Sequence, residues 1–317
     1  MPTDLSASTR RRFLASTGVA ALTVSLSPRS LLAEDESPVI VIRQAAATAK
    51  IAVQKLRGNV SVLSGSGGNI GVLTGLDGKL LVDAGITASR PGLTEALARL
   101  GPGPVRRLIN THWHFDHTDG NQWLHGEGAE ITAHENTRKH LSETTRVVPW
   151  KFTFPPSPAE ALPTKVFQQE LELEVNGTAL RLRHYEPSHT DSDISVEFRD
   201  ADILHTGDTW WNGHFPFIDY DTGGSIDGTI RATEANLGRV TDKTLLIPGH
   251  GPVGGKPELR EFRDMLVTVR EKVAALKQQG KTLEEAVAAA STAAFDAKWG
   301  GFVIDGKTFT ALVYAGV

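Results

Sequence analysis

Four side chains able to ligate a metal fall within six residues, in the run Thr111-His112-Trp113-His114-Phe115-Asp116-His117. Imidazole and carboxylate together suit Zn²⁺ and similar borderline cations. Alternate side chains of an extended chain share a face, so His112 and His114 can reach one ion. The turn that follows can aim Asp116 and His117 at another. The chain has no cysteine, so a metal here is held by nitrogen and oxygen alone, and thiol nucleophiles and disulfides are excluded.

Three more candidates follow, each after an apolar stretch that reads as a strand. His189 lies in Pro187-Ser188-His189-Thr190, Asp208 in Thr206-Gly207-Asp208-Thr209, and His250 in Pro248-Gly249-His250-Gly251-Pro252. With these in order, the H-x-H-x-D-H run resembles the signature of the metallo-β-lactamase superfamily, over residues 58–270. The resemblance implies that His112, His114 and His189 hold a first metal, that Asp116, His117 and His250 hold a second, and that Asp208 bridges them. It implies an α/β fold, a four-layer αββα sandwich with the site at one edge between two sheets, and two Zn²⁺ ions, with iron or manganese as alternatives. It gives Asp83, in Leu81-Val82-Asp83-Ala84-Gly85, the task of fixing the tautomer and orientation of a metal-binding histidine. From the residues alone, Asp83 could equally cap the backbone N–H groups of a turn.

The elements that must position these groups alternate as an α/β fold requires. Residues 60–63, 69–76 and 79–82 read as a β-meander with a turn at Asp77-Gly78. Residues 91–100 read as a helix with Leu93, Ala96, Leu97 and Leu100 on one face, leading into a strand at 105–110 that carries the metal-ligating loop. A short helix from 120, a strand at 129–133 and a helix at 135–141 follow. The strands expected next are 171–175 and 178–183, joined by Asn176-Gly177, then 194–198, 203–205 and 245–247. Helices are expected over 225–240, 258–279 and 283–295. Residues 143–163 interrupt this rhythm with Trp150, Phe152 and Phe154 among five prolines, a composition for a lid or substrate wall, or for a satellite core. Trp210, Trp211 and His214, just past Asp208, read as a further aromatic wall or as ordinary buried loop residues.

The ends of the chain differ in kind. Thr9-Arg10-Arg11-Arg12-Phe13-Leu14 resembles a twin-arginine export signal, with a mildly apolar run at 15–26 and a cut after Ala33. That run is too short to span a bilayer, which takes about 20 residues, so residues 1–33 are expected to be a cleaved signal and the protein periplasmic or secreted, without a stable membrane anchor. Residues 34–57 read as a linker with an Ala-rich piece that forms a strand or short helix, and 58–317 as the hydrolase domain with C-terminal helices. Losing Arg10, Arg11, Arg12, Arg29 and Asp4 takes the formal charge from −4 to −7, which disfavours a nucleic-acid partner. Oligomeric state is not encoded in any motif.

Two metals sharing a water lower its pKa toward ~7 and supply hydroxide at neutral pH. The expected reaction is therefore hydrolysis of an ester, thioester, lactone or β-lactam carbonyl in a small molecule, with Asp116 and Asp208 as catalytic carboxylates. Asp208 as the bridge resembles the glyoxalase II-like branch. The best-known lactamase branch has a cysteine there and a lysine three residues on, where this chain has Trp211. No basic glutathione-binding cluster is recognisable among the C-terminal helices, and residues 213–220 with 247–252 most resemble periplasmic members known only as hydrolases. An iron-dependent redox member of the superfamily and a non-catalytic metal-binding protein are the competing classes. Iron content with oxygen uptake would mark the first, and metal binding without turnover the second.

Overall fold

The computed structural model describes residues 37–317; the expected export signal, residues 1–33, lies outside them. The first half of the described chain runs α1 (Pro38–Ala46), β1 (Ala52–Lys55), β2 (Val60–Ser64), β3 (Ile70–Leu73), β4 (Lys79–Val82), α2 (Arg90–Arg99), β5 (Val105–Ile109), α3 (Phe115–Thr118), α4 (Asn121–Gly126), β6 (Glu130–His134), α5 (Glu135–Ser142), β7 (Thr145–Val147), β8 (Phe152–Phe154) and β9 (Lys165–Phe167). The second half runs β10 (Glu170–Val175), β11 (Thr178–His184), β12 (Ile194–Phe198), β13 (Ile203–Trp211), α6 (Ile226–Arg239), β14 (Leu245–His250), α7 (Lys256–Gln278), α8 (Leu283–Ala288), α9 (Asp296–Trp299) and α10 (Gly306–Gly316). No helix among the described residues is long and apolar enough to cross a membrane.

The strands form a seven-stranded sheet, β1-β2-β3-β4-β5-β6-β9, and a five-stranded sheet, β10-β11-β12-β13-β14. Side chains alternate across a strand, and the core divides accordingly. Leu80 and Val82 of β4 and Ile203 of β13 join one apolar cluster between the sheets. Their neighbour Leu81 packs outward against Leu93 and Leu97 of α2, and Leu204 outward into a cluster that includes Leu259 and Phe262 of α7. This is the expected αββα sandwich.

Both sheets mix strand directions in a way that matters for the site. β4 runs parallel to β5 and β5 to β6, while β13 runs parallel to β14. In open α/β sheets, ligands gather at the carboxyl ends of parallel strands, and here the two sets of carboxyl ends face each other across the sandwich edge.

Three expectations need correction. Residues 34–57 are not a linker where they are described. Ser37 caps α1 through its side chain and Pro38 takes the first helical turn, both signals that start a helix, and β1 pairs antiparallel with β2 at the edge of the larger sheet. The strand expected at 203–205 continues to Trp211, with register shifts against β14 on either side of Gly207. A bulge of this kind bends a strand and re-aims its side chains; Gly207 has φ +52°. The helix expected over 283–295 stops at Ala288, followed by Ala290 at φ +51°.

The excursion at 143–163 contains the small hairpin β7–β8, and α1 holds it down. Ser37 Oγ donates to the Trp150 carbonyl at 2.7 Å. Arg43 pairs with Asp119 at 2.8 Å, and its guanidinium lies 5.2 Å from the Phe115 ring and 5.8 Å from that of Phe152.

Within β13, Trp210 is 0% exposed and belongs to the helix-side core, with its ring against Gly254 just before α7. Trp210→Ala should cost about 3–5 kcal/mol of folding stability, the usual range for a buried large aromatic, seen as a lower urea midpoint in metal-free protein.

Candidate metal centre

All seven sequence-predicted ligands meet at the sandwich edge. The loop after β5 supplies His112 and His114, with Asp116 and His117 in the single turn of α3; the connection after β11 supplies His189; the bulge of β13 supplies Asp208; and His250 ends β14. Their ligand atoms form three groups whose members lie within 4.8 Å of one another: His112, His114 and His189; Asp116, His117 and His250; and, between these, His112, His117 and Asp208.

Proton assignment shows what the geometry lacks. The imidazole N–H at His114 Nε2 donates to Asp219 Oδ2 at 2.9 Å, and that at His189 Nδ1 donates to the Phe217 carbonyl at 2.7 Å. A neutral imidazole carries one N–H, so His114 Nδ1 and His189 Nε2 face each other as bare nitrogens, 2.8 Å apart. His112 follows the same logic. Thr111 Oγ1 donates to Asp83 Oδ2 at 2.7 Å, which leaves it to accept from His112 Nδ1 at 3.0 Å. His112 Nε2 is then bare, buried and without a hydrogen-bond partner, while His117 Nε2 and Asp208 Oδ1, buried 3.1 Å apart, make no well-formed hydrogen bond with each other or with any other group. Opposed lone pairs and orphaned buried atoms are costly unless a cation joins them.

Electrostatics separates the two halves of the cluster. Burial holds His112 well below the ordinary histidine range, with His117 adding to the effect, and burial likewise lowers His114 and His189. These three are neutral imidazoles, the form in which histidine can ligate a metal. Burial would also lower His117 and His250, but Asp208 and Asp116 outweigh it, taking His117 well above its usual value and His250 up to about 9. Burial would raise the two carboxylates; His117 and His250 outweigh it and hold Asp116 at about 2 and Asp208 well below the usual range. Asp208 Oδ1 stands 3.1 Å from His117 Nε2, and its Oδ2 is 3.4 Å from His189 Nε2 and 3.3 Å from His250 Nε2. One carboxylate thus spans both halves, the arrangement a bridging ligand needs.

Asp83 lies behind the His117 ring. It accepts from His117 Nδ1 at 2.8 Å, and its other oxygen accepts from the Thr111 backbone N–H at 2.7 Å. Asp219 performs the equivalent task for His114, and sequence reading missed it; the only signal was an acidic residue in the block 213–220. Gly68 was also missed. It lies in the tight turn between β2 and β3, which passes directly over His117, and a Cβ there would overlap the imidazole ring.

Of the expected aromatic wall, three members stand near the centre. The Trp150 ring lies 4.6 Å from His114 and the Trp211 ring 4.4 Å from His250. His214 sits beyond Trp211, and burial, with His250 nearby, lowers it to about 4. Trp210 is corrected: strand alternation sends it away from its neighbour Trp211 and into the core. Of the histidines without motif context, His134 and His184 stack at 3.7 Å and His205 bonds the Asn69 carbonyl, so all three are structural.

Comparison with known proteins agrees with this geometry. Residues 63–250 match the family model of the metallo-β-lactamase superfamily. A probable metallo-hydrolase of Methanocaldococcus jannaschii is 30% identical over 187 residues, 56% of this chain and 84% of that protein. A hydroxyacylglutathione hydrolase of Polaromonas sp. is 27% identical over 50% of this chain and 52% of its own length. Among solved structures, a stereoselective inverting sec-alkylsulfatase from Pseudomonas sp. aligns with TM-score 0.64 at 16% identity, over 90% of this chain and 54% of that one. The DIM-1 metallo-β-lactamase aligns with TM-score 0.56 at 20% identity, over 69% of this chain and 98% of that one. At these identities the structural likeness is one of fold. The chain spans about half the length of the hydroxyacylglutathione hydrolase and of the sulfatase.

The two halves of the centre should be separable by mutation. Gly68→Ala should displace His117 and lower the metal content of the chain, while Asp219→Asn should weaken metal binding on the His114 side by about 10–100-fold, as loss of a ligand's hydrogen-bond partner does. Elemental analysis and competition with a chelator check both, with circular dichroism as the control for folding.

Proposed function

The chain belongs to the metallo-β-lactamase superfamily and is a metal-dependent hydrolase, and on that premise we propose that it is an exported enzyme that uses two metal ions, zinc in the first instance, to hydrolyse the carbonyl of a small ester, thioester, lactone or β-lactam. The observation that carries this reading is the pair of bare nitrogens on His114 and His189, set beside the orphaned atoms of His112, His117 and Asp208. His112, His114 and His189 would hold one ion and Asp116, His117 and His250 the other, with Asp208 shared. Bound there, such ions activate water and polarise a carbonyl.

The protein's own groups divide the remaining work. Asp208 is 2% exposed and enclosed by four imidazoles, so it serves as the fixed link. The Asp116 side chain is 15% exposed, 3.2 Å from His250, and is the carboxylate a substrate can reach, which makes it the candidate to take the proton that the attacking water loses and hand it to the leaving group. Asp83, Thr111 and Asp219 hold the imidazoles in the tautomers that leave their lone pairs facing inward. Trp150, packed on His114 and on the Phe217 ring at 4.9 Å, walls the opposite side and excludes water. Trp211, in place of a lysine, supports esters and lactones ahead of β-lactams with a free carboxylate.

Two measurements test the proposal. Zinc-loaded protein should turn over at least one of a chromogenic ester, thioester, lactone or cephalosporin, and Asp208→Ala should lower that rate by about 10³-fold or more, as loss of a central catalytic group does; no turnover across the set from fully loaded protein would defeat it. For export, replacing Arg10 and Arg11 together by lysine should leave the protein in the cytoplasmic fraction, and unchanged fractionation would remove the twin-arginine route.

A further inference from the structure

The His250 side of the centre ends on a wall that no motif announces. Phe302, in the irregular stretch between α9 and α10, is 38% exposed, although its ring centroid stands 4.7 Å from that of His214, 5.9 Å from Trp211 and 5.8 Å from His250. It is therefore a large apolar face left open beside a metal-facing histidine. Beneath it, Trp211 Nε1 and His214 Nδ1 are buried and have no hydrogen-bond partner among the described residues. Both atoms are themselves enclosed, so what this wall presents outward is the open Phe302 ring.

Charge narrows the ligand. The charged groups that act most strongly on His114, Asp116, His117, Asp208 and His250 are one another, His112, His189, Asp83 and Asp219. No lysine or arginine is among them. Recognition of a carboxylate or of glutathione calls for a cation placed to pair with it, whereas an open aromatic face suits an uncharged apolar arm.

We propose that Phe302, with Trp211 and His214, forms a substrate subsite on the His250 side that takes the uncharged, apolar arm of an acyl compound against the open Phe302 ring. The inference rests on the hydrolase reading of the same centre and specifies its substrate class. Phe302 is then a specificity-determining residue contributed by the C-terminal segment, while the ligands come from the strands.

The test uses the zinc-loaded full chain and its Phe302→Ala and Phe302→Tyr variants. Two substrates are compared, 4-nitrophenyl phenylacetate and 4-nitrophenyl acetate, with an unhydrolysable probe, 4-phenyl-2-butanone, followed by tryptophan fluorescence. Phe302→Ala should lower kcat/KM for the phenylacetyl ester by about tenfold, chiefly through KM, and change the acetyl ester by less than about twofold, the scale on which an apolar pocket discriminates. It should weaken ketone binding by a similar factor, and Phe302→Tyr should restore both. Equal losses on the two esters, or ketone binding that Phe302→Ala leaves unchanged or that the wild type lacks, would overturn the subsite. Absence of ester turnover in all three proteins, with ketone binding still dependent on Phe302, would sink the ester reading of the reaction and keep the subsite.

Discussion

The centre depends on one buried carboxylate. Asp83 ends β4 in the left-handed region, φ +70°, a conformation that costs a non-glycine residue of order 1 kcal/mol or more. The cost is offset by what the conformation allows: one oxygen takes the Thr111 backbone N–H while the other takes the Thr111 hydroxyl and the His117 N–H. Through Thr111 the same carboxylate sets the tautomer of His112. A histidine from each half of the centre is thus oriented from one point, fixed where two parallel strands end side by side.

The ligands come from both halves of the chain, so the centre exists only when the sheets are in register. Asn69 provides that register. Its side-chain amide donates to the carbonyls of Pro248 at 2.9 Å and Gly251 at 2.8 Å, and its backbone N–H donates to Gly249 at 2.7 Å. The β2–β3 turn of one sheet is thereby tied to the segment that presents His250 from the other. Apolar packing between the sheets is non-directional; these bonds supply the direction, at the edge where fractions of an ångström decide ligation.

The ligand set was legible because metal chemistry restricts residue type and the loop after a strand restricts spacing. Asp83 was legible only through the family resemblance, because an aspartate at a strand end is equally the sign of a capped turn. Asp219 and Gly68 were not, since a lone aspartate or a glycine-rich turn carries no local sign of what it will touch. The layers could be anticipated from alternation, but β13 was cut short because the bulge that presents Asp208 places Gly207 and Asp208 where apolar residues would mark a strand. The helix after Thr282 was overextended because its alanines have high helix propensity and nothing in residues 289–295 announces the left-handed turn at Ala290. At the other end, Ser37 and Pro38 are ordinary helix-start signals whose meaning depended on packing against a hairpin 100 residues away.

That packing gives α1 a leverage out of proportion to its length. It bonds the hairpin at the Trp150 carbonyl, reaches Asp119 just beyond the ligand loop, and lays Arg43 over the rings between them, while Trp150 itself leans on His114. Free-energy coupling of this kind is reciprocal. Filling the His114 side should therefore tighten the hold on the first described helix, and loosening that helix should be felt as a looser grip on whatever His114 binds. The first described helix and one half of the candidate metal centre form a single mechanical element.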